Sequence, residues 1–315
     1  MIRFEDFTFT SSSGNLYIHV RGCIPDGEIK ASVQIAHGIA EYAARYDEFA
    51  SFLAENGIAV YANDHIGHGE SVSDEWPLSY FGEKDGWKFT VGDMKKLHGI
   101  VCERHSGVPH YLFGHSMGSF LARTYAIDYR DDFDGLILSG TGQQPKALVV
   151  GGKTMAKMEI KRHGSKYQSP LLNILAFGSY NKGFENTRSC FDWLSRDNDC
   201  VDKYIEDPLC GFLPSAGLFY EMMCGIDYIG RMENIKKMNK EVPVYFMSGD
   251  ADPVGENGKG VKRAYKCFVL SGIKDVSIRL YKEGRHEMLN EINKQEVYAD
   301  ILKVIEEWLE NLCSE

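Results

Sequence analysis

The sequence has no run approaching the roughly 20 consecutive apolar residues that a helix needs to cross a bilayer, which excludes an ordinary transmembrane span. Its opening, Met1-Ile2-Arg3-Phe4-Glu5-Asp6, carries charge early and lacks the apolar stretch of a secretory signal, so the chain is expected in the cytoplasm. Nor is there a Lys/Arg block: 35 basic residues face 45 acidic ones, a formal net charge of −10. Without a basic footprint there is little to neutralise a phosphate backbone, which excludes nucleic acid as a partner; the acidic excess serves solubility. The eight cysteines (Cys23, Cys102, Cys190, Cys200, Cys210, Cys224, Cys267 and Cys313) contain no C-x-x-C pair and no zinc-ligand spacing. Four of them fall between 190 and 224, but without an export signal they are expected to be reduced thiols serving as small apolar side chains. Internal repeats and low-complexity tracts are missing as well, so a repeat array does not apply.

What is present suits a substantial core: 43% hydrophobic and 25% charged residues over 315 positions fit one large unit carrying an insertion. Phe7 and Phe9, then Leu16, Ile18 and Val20, alternate around Ser13-Gly14-Asn15, which predicts an antiparallel hairpin. Short apolar runs at 33–36, 58–62, 111–113, 136–138 and 242–247, bounded by Gly, Asp or Ser, read as strands buried on both faces of a parallel sheet. Tyr42, Tyr46, Phe49 and Leu53 line one face of a helix that Gly57 ends. Val297, Ile301, Ile305 and Trp308 form a second amphipathic stripe near the C-terminus. This alternation predicts an α/β fold, a mostly parallel central sheet with helices on both faces. The rhythm breaks over 143–225, a stretch rich in aromatics and methionine with no period-two run. It is expected to be a helical insertion, because an irregular loop of that length does not fit a compact domain. The expected organisation is a core of residues 1–142 and 226–315 interrupted by a helical cap at 143–225.

The strongest chemical signal is Gly114-His115-Ser116-Met117-Gly118, which follows the apolar run at 111–113 and precedes a helical pattern through Phe120, Leu121 and Tyr125. Strand, sharp turn and helix are the context of a nucleophile elbow, with Ser116 pushed out at the carboxyl end of the sheet. Glycines flank the serine because a Cβ there obstructs the strained turn and the close strand–helix approach. A serine needs a base, itself oriented by an acid. In this chain order, only His163 and His286 follow Ser116 among the ten histidines. His163 lies in the insertion beside Lys161-Arg162, whereas His286 sits in a loop after the alternating Val276, Ile278 and Leu280, where a base reaching back to the elbow belongs. The acid is expected after the run at 242–247, in Gly249-Asp250-Ala251-Asp252-Pro253-Val254. Spacing alone does not choose between Asp250 and Asp252; one orients the histidine and the other caps the turn or the next helix. Backbone N–H groups of Met117 and of the loop His37-Gly38-Ile39-Ala40 are the candidate oxyanion donors.

With these pieces in place the chain resembles the monoacylglycerol lipase and lysophospholipase-like branch of the α/β-hydrolases, labelled serine aminopeptidase S33-like. The resemblance rests on His37-Gly38-Ile39-Ala40-Glu41 with Arg45-Tyr46, on Asp64-His65-Ile66-Gly67-His68-Gly69-Glu70-Ser71, on the elbow, on the 249–254 segment and on Arg285-His286-Glu287. It implies Asp252, the aspartate directly before Pro-Val, as the acid, and Ile39 as the second oxyanion donor. His65 and His68 then read as structural hydrogen-bonders beneath the site, not as a metal site. The bulky Ile39, where the family often has a small residue, implies a narrowed pocket and argues against very large acyl groups.

The expected reaction is hydrolysis of a small acyl ester, monoacylglycerol- or lysophospholipid-like, through an acyl-enzyme on Ser116, with no metal or organic cofactor. Cap contact with a membrane or micelle is expected to be transient at most, and nothing in the sequence speaks to oligomeric state. An aminopeptidase or amidase needs an acid in the cap to grip an amine, for which Glu159, Glu185 and Asp192 are available; an acyl-CoA thioesterase has only Lys161-Arg162 for phosphate. A non-catalytic binding protein has no need of all three groups, and a carboxylate nucleophile is excluded by Ser116.

Overall fold

A computed structural model describes residues 1–312, so Cys313 lies outside the described residues. The hairpin forms as strands β1 (Ile2–Thr10) and β2 (Tyr17–Pro25), paired antiparallel. Then β3 (Ala31–Ala36), helix α1 (Asp47–Glu55), β4 (Ile58–Asn63), α2 (Gly86–Arg104), β5 (His110–His115), α3 (Met117–Asp128) and β6 (Gly135–Ser139) follow in alternation. Between β6 and the next strand lie α4 (Lys146–His163), α5 (Pro170–Phe177), α6 (Asn198–Glu206), α7 (Ala216–Ile229) and the short α8 (Met232–Ile235). The chain ends with β7 (Val244–Gly249), α9 (Lys259–Leu270), β8 (Val276–Tyr281) and α10 (Lys294–Leu312).

The strands form one eight-stranded sheet in the order β1-β2-β4-β3-β5-β6-β7-β8, antiparallel as far as β4 and parallel from there on. The inner strands are buried along their whole length, and successive side chains still part to opposite faces. Tyr111 and Phe113 pack with α1 and α10 through Phe49, Tyr298, Ile301 and Trp308. Leu112, between them, packs with Leu121, Tyr125 and Phe268 on the other face. Among the described residues no helix is long and apolar enough to cross a membrane.

Two local expectations shift, and one helix had no expectation. The stripe from Tyr42 to Leu53 opens as a 3-10 turn, Ala43–Tyr46, before α1, because Ala43 N–H is held by the Asp64 carboxylate at 2.8 Å. Strand β7 starts at Val244 rather than 242, since Pro243 has no N–H for the ladder. Helix α2, with no cap hydrogen bond at its start, has no clear sequence signal. The aromatics and methionines of the stretch between β6 and β7 divide: Phe219 and Met222 join the main core, whereas Trp193 packs with Tyr204, Cys210, Phe177, Tyr180, Phe184 and Phe191 in a separate cluster.

Candidate active site

Strand β5 delivers the chain to Ser116, which adopts φ 51°, ψ −120° before α3 begins, a conformation that costs a non-glycine residue of order 1–3 kcal/mol. Neighbouring bonds hold it there: Ser116 N–H donates to Ser139 O at 3.0 Å, and Ser119 Oγ donates to Ser116 O at 2.6 Å. The flanking glycines are needed for the approach. A Cβ on Gly114 would meet Gly118 O at 2.6 Å, and one on Gly118 would collide with the Ala36 carbonyl.

Beside the serine runs the 37–40 loop, so close that a Cβ on Gly38 would lie 3.2 Å from Ser116 Cβ. His65 N–H donates to His37 Nε2 at 2.9 Å, which leaves the proton on Nδ1 to be donated to Gly38 O at 2.8 Å. With the Gly38 carbonyl turned to His37, the trans peptide sends the Ile39 N–H the opposite way. Among the described residues neither Ile39 N–H nor Met117 N–H donates to another group of the chain.

At the end of β7 the two aspartates separate. Asp252 is fully buried and meets His286 Nδ1 at 3.0 and 3.1 Å, with Ser248 Oγ (3.1 Å) and Val254 N–H (2.9 Å) donating to the same carboxylate. Asp250 instead accepts Glu283 N–H at 2.6 Å, tying down the loop after β8. Burial works against charge on both members of the pair. Their mutual attraction outweighs it, so the Asp252 carboxyl stays below its ordinary range and the His286 imidazole rises above its own. His286 Nε2 is buried and, among the described residues, has no hydrogen-bond partner. The ring lies 4.7 Å from His115, the residue before Ser116, and 5.1 Å from Trp193. Thus His286 and Asp252 are joined directly, while Ser116 adjoins them through His115 without a hydrogen bond to the imidazole; such bonds often tighten only when substrate binds.

The other histidines take different places. His163 is exposed on α4 against Tyr167. His65 and His68 pack their rings 4.0 and 5.2 Å from His37, and burial drives both well below the ordinary imidazole range, His68 to about 3. Among the described residues no group of three or more His, Cys, Asp or Glu side chains is placed to hold a metal.

Sequence reasoning missed two features around the site. Arg45 donates to Glu41 at 2.6 Å and to both oxygens of Glu287 at 2.8 and 2.7 Å, while Glu41 also accepts from Tyr46 OH and Gly38 N–H. This buried ion cluster ties the 37–40 loop to the residue after His286. The Glu41–Arg45 spacing of four hints at half of it; Glu287 has no local signal. The second feature is the 191–211 stretch, from which Tyr204 OH and Gly211 N–H both donate to Ala40 O at 2.9 Å.

A mostly parallel sheet that presents a serine at positive φ at its carboxyl edge, beside a buried His–Asp pair, defines the α/β-hydrolase class. Residues 27–293 match the family model for serine aminopeptidase, S33. The chain is 28% identical to a monoglyceride lipase homolog of Monkeypox virus over 94% of this chain and 95% of that one. It is 26% identical to the monoglyceride lipase of Homo sapiens, covering 98% and 91%. Among solved structures, a thermostable carboxyl esterase from Bacillus coagulans in complex with glycerol matches with a TM-score of 0.90 at 29% identity, covering 97% of this chain and 99% of that one. The chain belongs to the serine aminopeptidase S33 family, in a branch similar to the monoglyceride lipases, and is a carboxylic ester hydrolase.

Proposed function

We propose that the protein hydrolyses small lipid acyl esters, monoacylglycerol- or lysophospholipid-like, by a Ser116–His286–Asp252 triad. The observation that carries this reading is the buried imidazole itself, with one nitrogen on Asp252 and the other, Nε2, without a hydrogen-bond partner among the described residues. Ser116 Oγ attacks the ester carbonyl as His286 Nε2 takes its proton, and Asp252 holds the productive tautomer and stabilises the imidazolium. The N–H groups of Ile39 and Met117 bind the oxyanion. The alcohol leaves with the proton from His286, and water then releases the acid by the same two steps. The scheme needs no metal or organic cofactor.

The acyl-ester reading is supported over an aminopeptidase by the fate of the insertion's acids. Buried Glu159 accepts Ser169 Oγ at 2.6 Å, and buried Asp192 accepts Ser189 N–H and Oγ and Arg188 N–H. Both are occupied by the chain itself, and Glu185 is exposed. We take residues 143–225 as a cap over the site. Its α5 exposes Leu171, Ile174 and Leu175, three and four residues apart and so on one helix face, an apolar face suited to transient contact with a lipid surface.

Ser116→Ala tests the assignment. The variant is expected to lose both turnover and labelling by a fluorophosphonate, and substantial surviving esterase activity would refute it. A panel of short p-nitrophenyl esters, monoacylglycerols, lysophospholipids and aminoacyl amides tests the substrate class, with the glycerol and phospholipid esters turned over and the amides not.

A further inference from the structure

The loop that carries His286 is laced to the 191–197 stretch of the insertion. Glu287 N–H donates to Leu194 O at 2.7 Å and His286 N–H to Trp193 O at 3.4 Å. Arg285 Nη1 reaches the carbonyls of Asp192 and Ser195, Ser195 Oγ donates to Asn290 O at 2.7 Å, and Arg196 pairs with the fully buried Glu291 at 2.9 Å. Helices α4 and α5 are tied elsewhere: Lys153 pairs with Asp227 on α7 and Ser169 with Glu159, while the connector between them reaches the 75–83 loop through Ser165 Oγ to Glu83 at 2.6 Å and Lys166 Nζ to Glu75 O at 2.9 Å.

Trp193 is the side chain that this lacing delivers to the site. Its ring lies 5.1 Å from the His286 ring at an interplanar angle of 40°. The tryptophan is itself wedged: Phe177 stacks at 6.3 Å and 7°, Tyr180 meets it edge-on at 4.9 Å, and Asn181 Oδ1 accepts its backbone N–H at 2.9 Å. The bond to Asp252 anchors only the Nδ1 edge of the imidazole and leaves its tilt about that bond free. A rigid aromatic plate packed against the ring removes that freedom and keeps Nε2 aimed at one place. It also keeps water from the imidazole, which strengthens the pairing with Asp252.

We propose that Trp193 is a positioning residue for the His286 base, and that the 192–196 strap is a built-in wall of the active site. The proposal rests on the reading of His286 as the general base. A base misplaced by a fraction of an ångström costs catalysis without weakening ester binding.

The test compares Trp193→Ala and Trp193→Phe on a water-soluble p-nitrophenyl ester. Trp193→Ala is expected to lower kcat by about ten- to a hundredfold with KM within about twofold, and Trp193→Phe to restore most of the loss. The acid limb of kcat/KM should move to lower pH, toward 6.5, in the alanine variant. Water reaching the ring screens the attraction of the acids facing it, Asp252, Glu287 and Glu41, which outweighs burial in the intact protein, while His115 stays neutral. An alanine variant with unchanged kcat, or with a loss confined to KM, overturns the proposal. If Trp193→Ala does not fold, Trp193→Leu keeps the apolar volume without the flat ring, and equal kcat in the leucine and phenylalanine variants overturns it as well. His286→Ala separates the two claims: activity surviving there removes the base assignment itself, whereas a dead His286→Ala beside unimpaired Trp193 variants removes only the positioning role.

Discussion

His286 and His68 are equally hidden from water, at 2% and 0% exposure, yet their imidazoles move in opposite directions. Burial lowers both. Among the described residues no acid bonds to His68; it gives Nδ1 to the Ile66 carbonyl at 3.0 Å, and with burial outweighing the pull of the more distant Asp64 it falls to about 3. His286 meets the same burial, but Asp252 lies against its Nδ1, and the charged form is favoured above the ordinary value. His37 is a third variant, with both nitrogens spent on backbone groups and a lowered pKa. Burial alone lowers an imidazole; burial beside a carboxylate raises it.

The sharpest break of that comparison is to take the carboxylate away. Asp252→Asn should lower kcat by about 10,000-fold, the size seen when the orienting acid of a triad loses its charge and with it the tautomer. Asp250→Asn, on the neighbouring loop, should stay within about threefold, and a reversed order in a steady-state esterase assay would exchange the two roles. Next in size, His37→Ala frees the Gly38 carbonyl and with it the aim of the Ile39 N–H; loss of one oxyanion donor is worth about a hundred- to a thousandfold in kcat. His65→Asn, which leaves that bond to Gly38 in place, should cost far less.

Proton titrations give a finer contrast. On the proposed triad His286 must be neutral to accept the serine proton, so its raised pKa should put the acid limb of kcat/KM above 6.5. The buried neutral histidines act on stability with the opposite sign. For His65 and His68 the folded state resists a proton that the unfolded chain accepts near 6.5, so stability is lost as pH falls below that value. Thermal melts between pH 7.5 and 5 should show that fall, and His68→Gln should shallow it. Smallest of all, Ile174→Ser on the exposed face of α5 should leave soluble-ester kcat within about twofold while weakening retention on lipid vesicles several-fold. Equal retention by vesicle sedimentation would remove that face from the lipid contact.

Much of this was legible in the chain itself. The all-buried strands announce themselves as short apolar runs, and the elbow as glycines spaced around a serine between a strand and a helix, because steric demands at those positions are local. Helix α2 was not legible: Asp85, the residue before it, sits at φ 59° and makes no side-chain cap bond, and the helix owes its place to packing against α3 and the sheet. The choice of Asp252 over Asp250 was equally invisible to spacing and needed the resemblance. Trp193 stood out in sequence only as one aromatic among many.

Residue order alone therefore dictated the alternating α/β architecture and the strained turn at Ser116, since both follow from side-chain period and backbone sterics over a few neighbouring positions. Which carboxylate meets His286, which histidines stay neutral and which tryptophan leans on the His286 ring were settled by folding. Those properties depend on distance and local dielectric between groups 34 or 93 residues apart, and neither quantity is written in linear spacing.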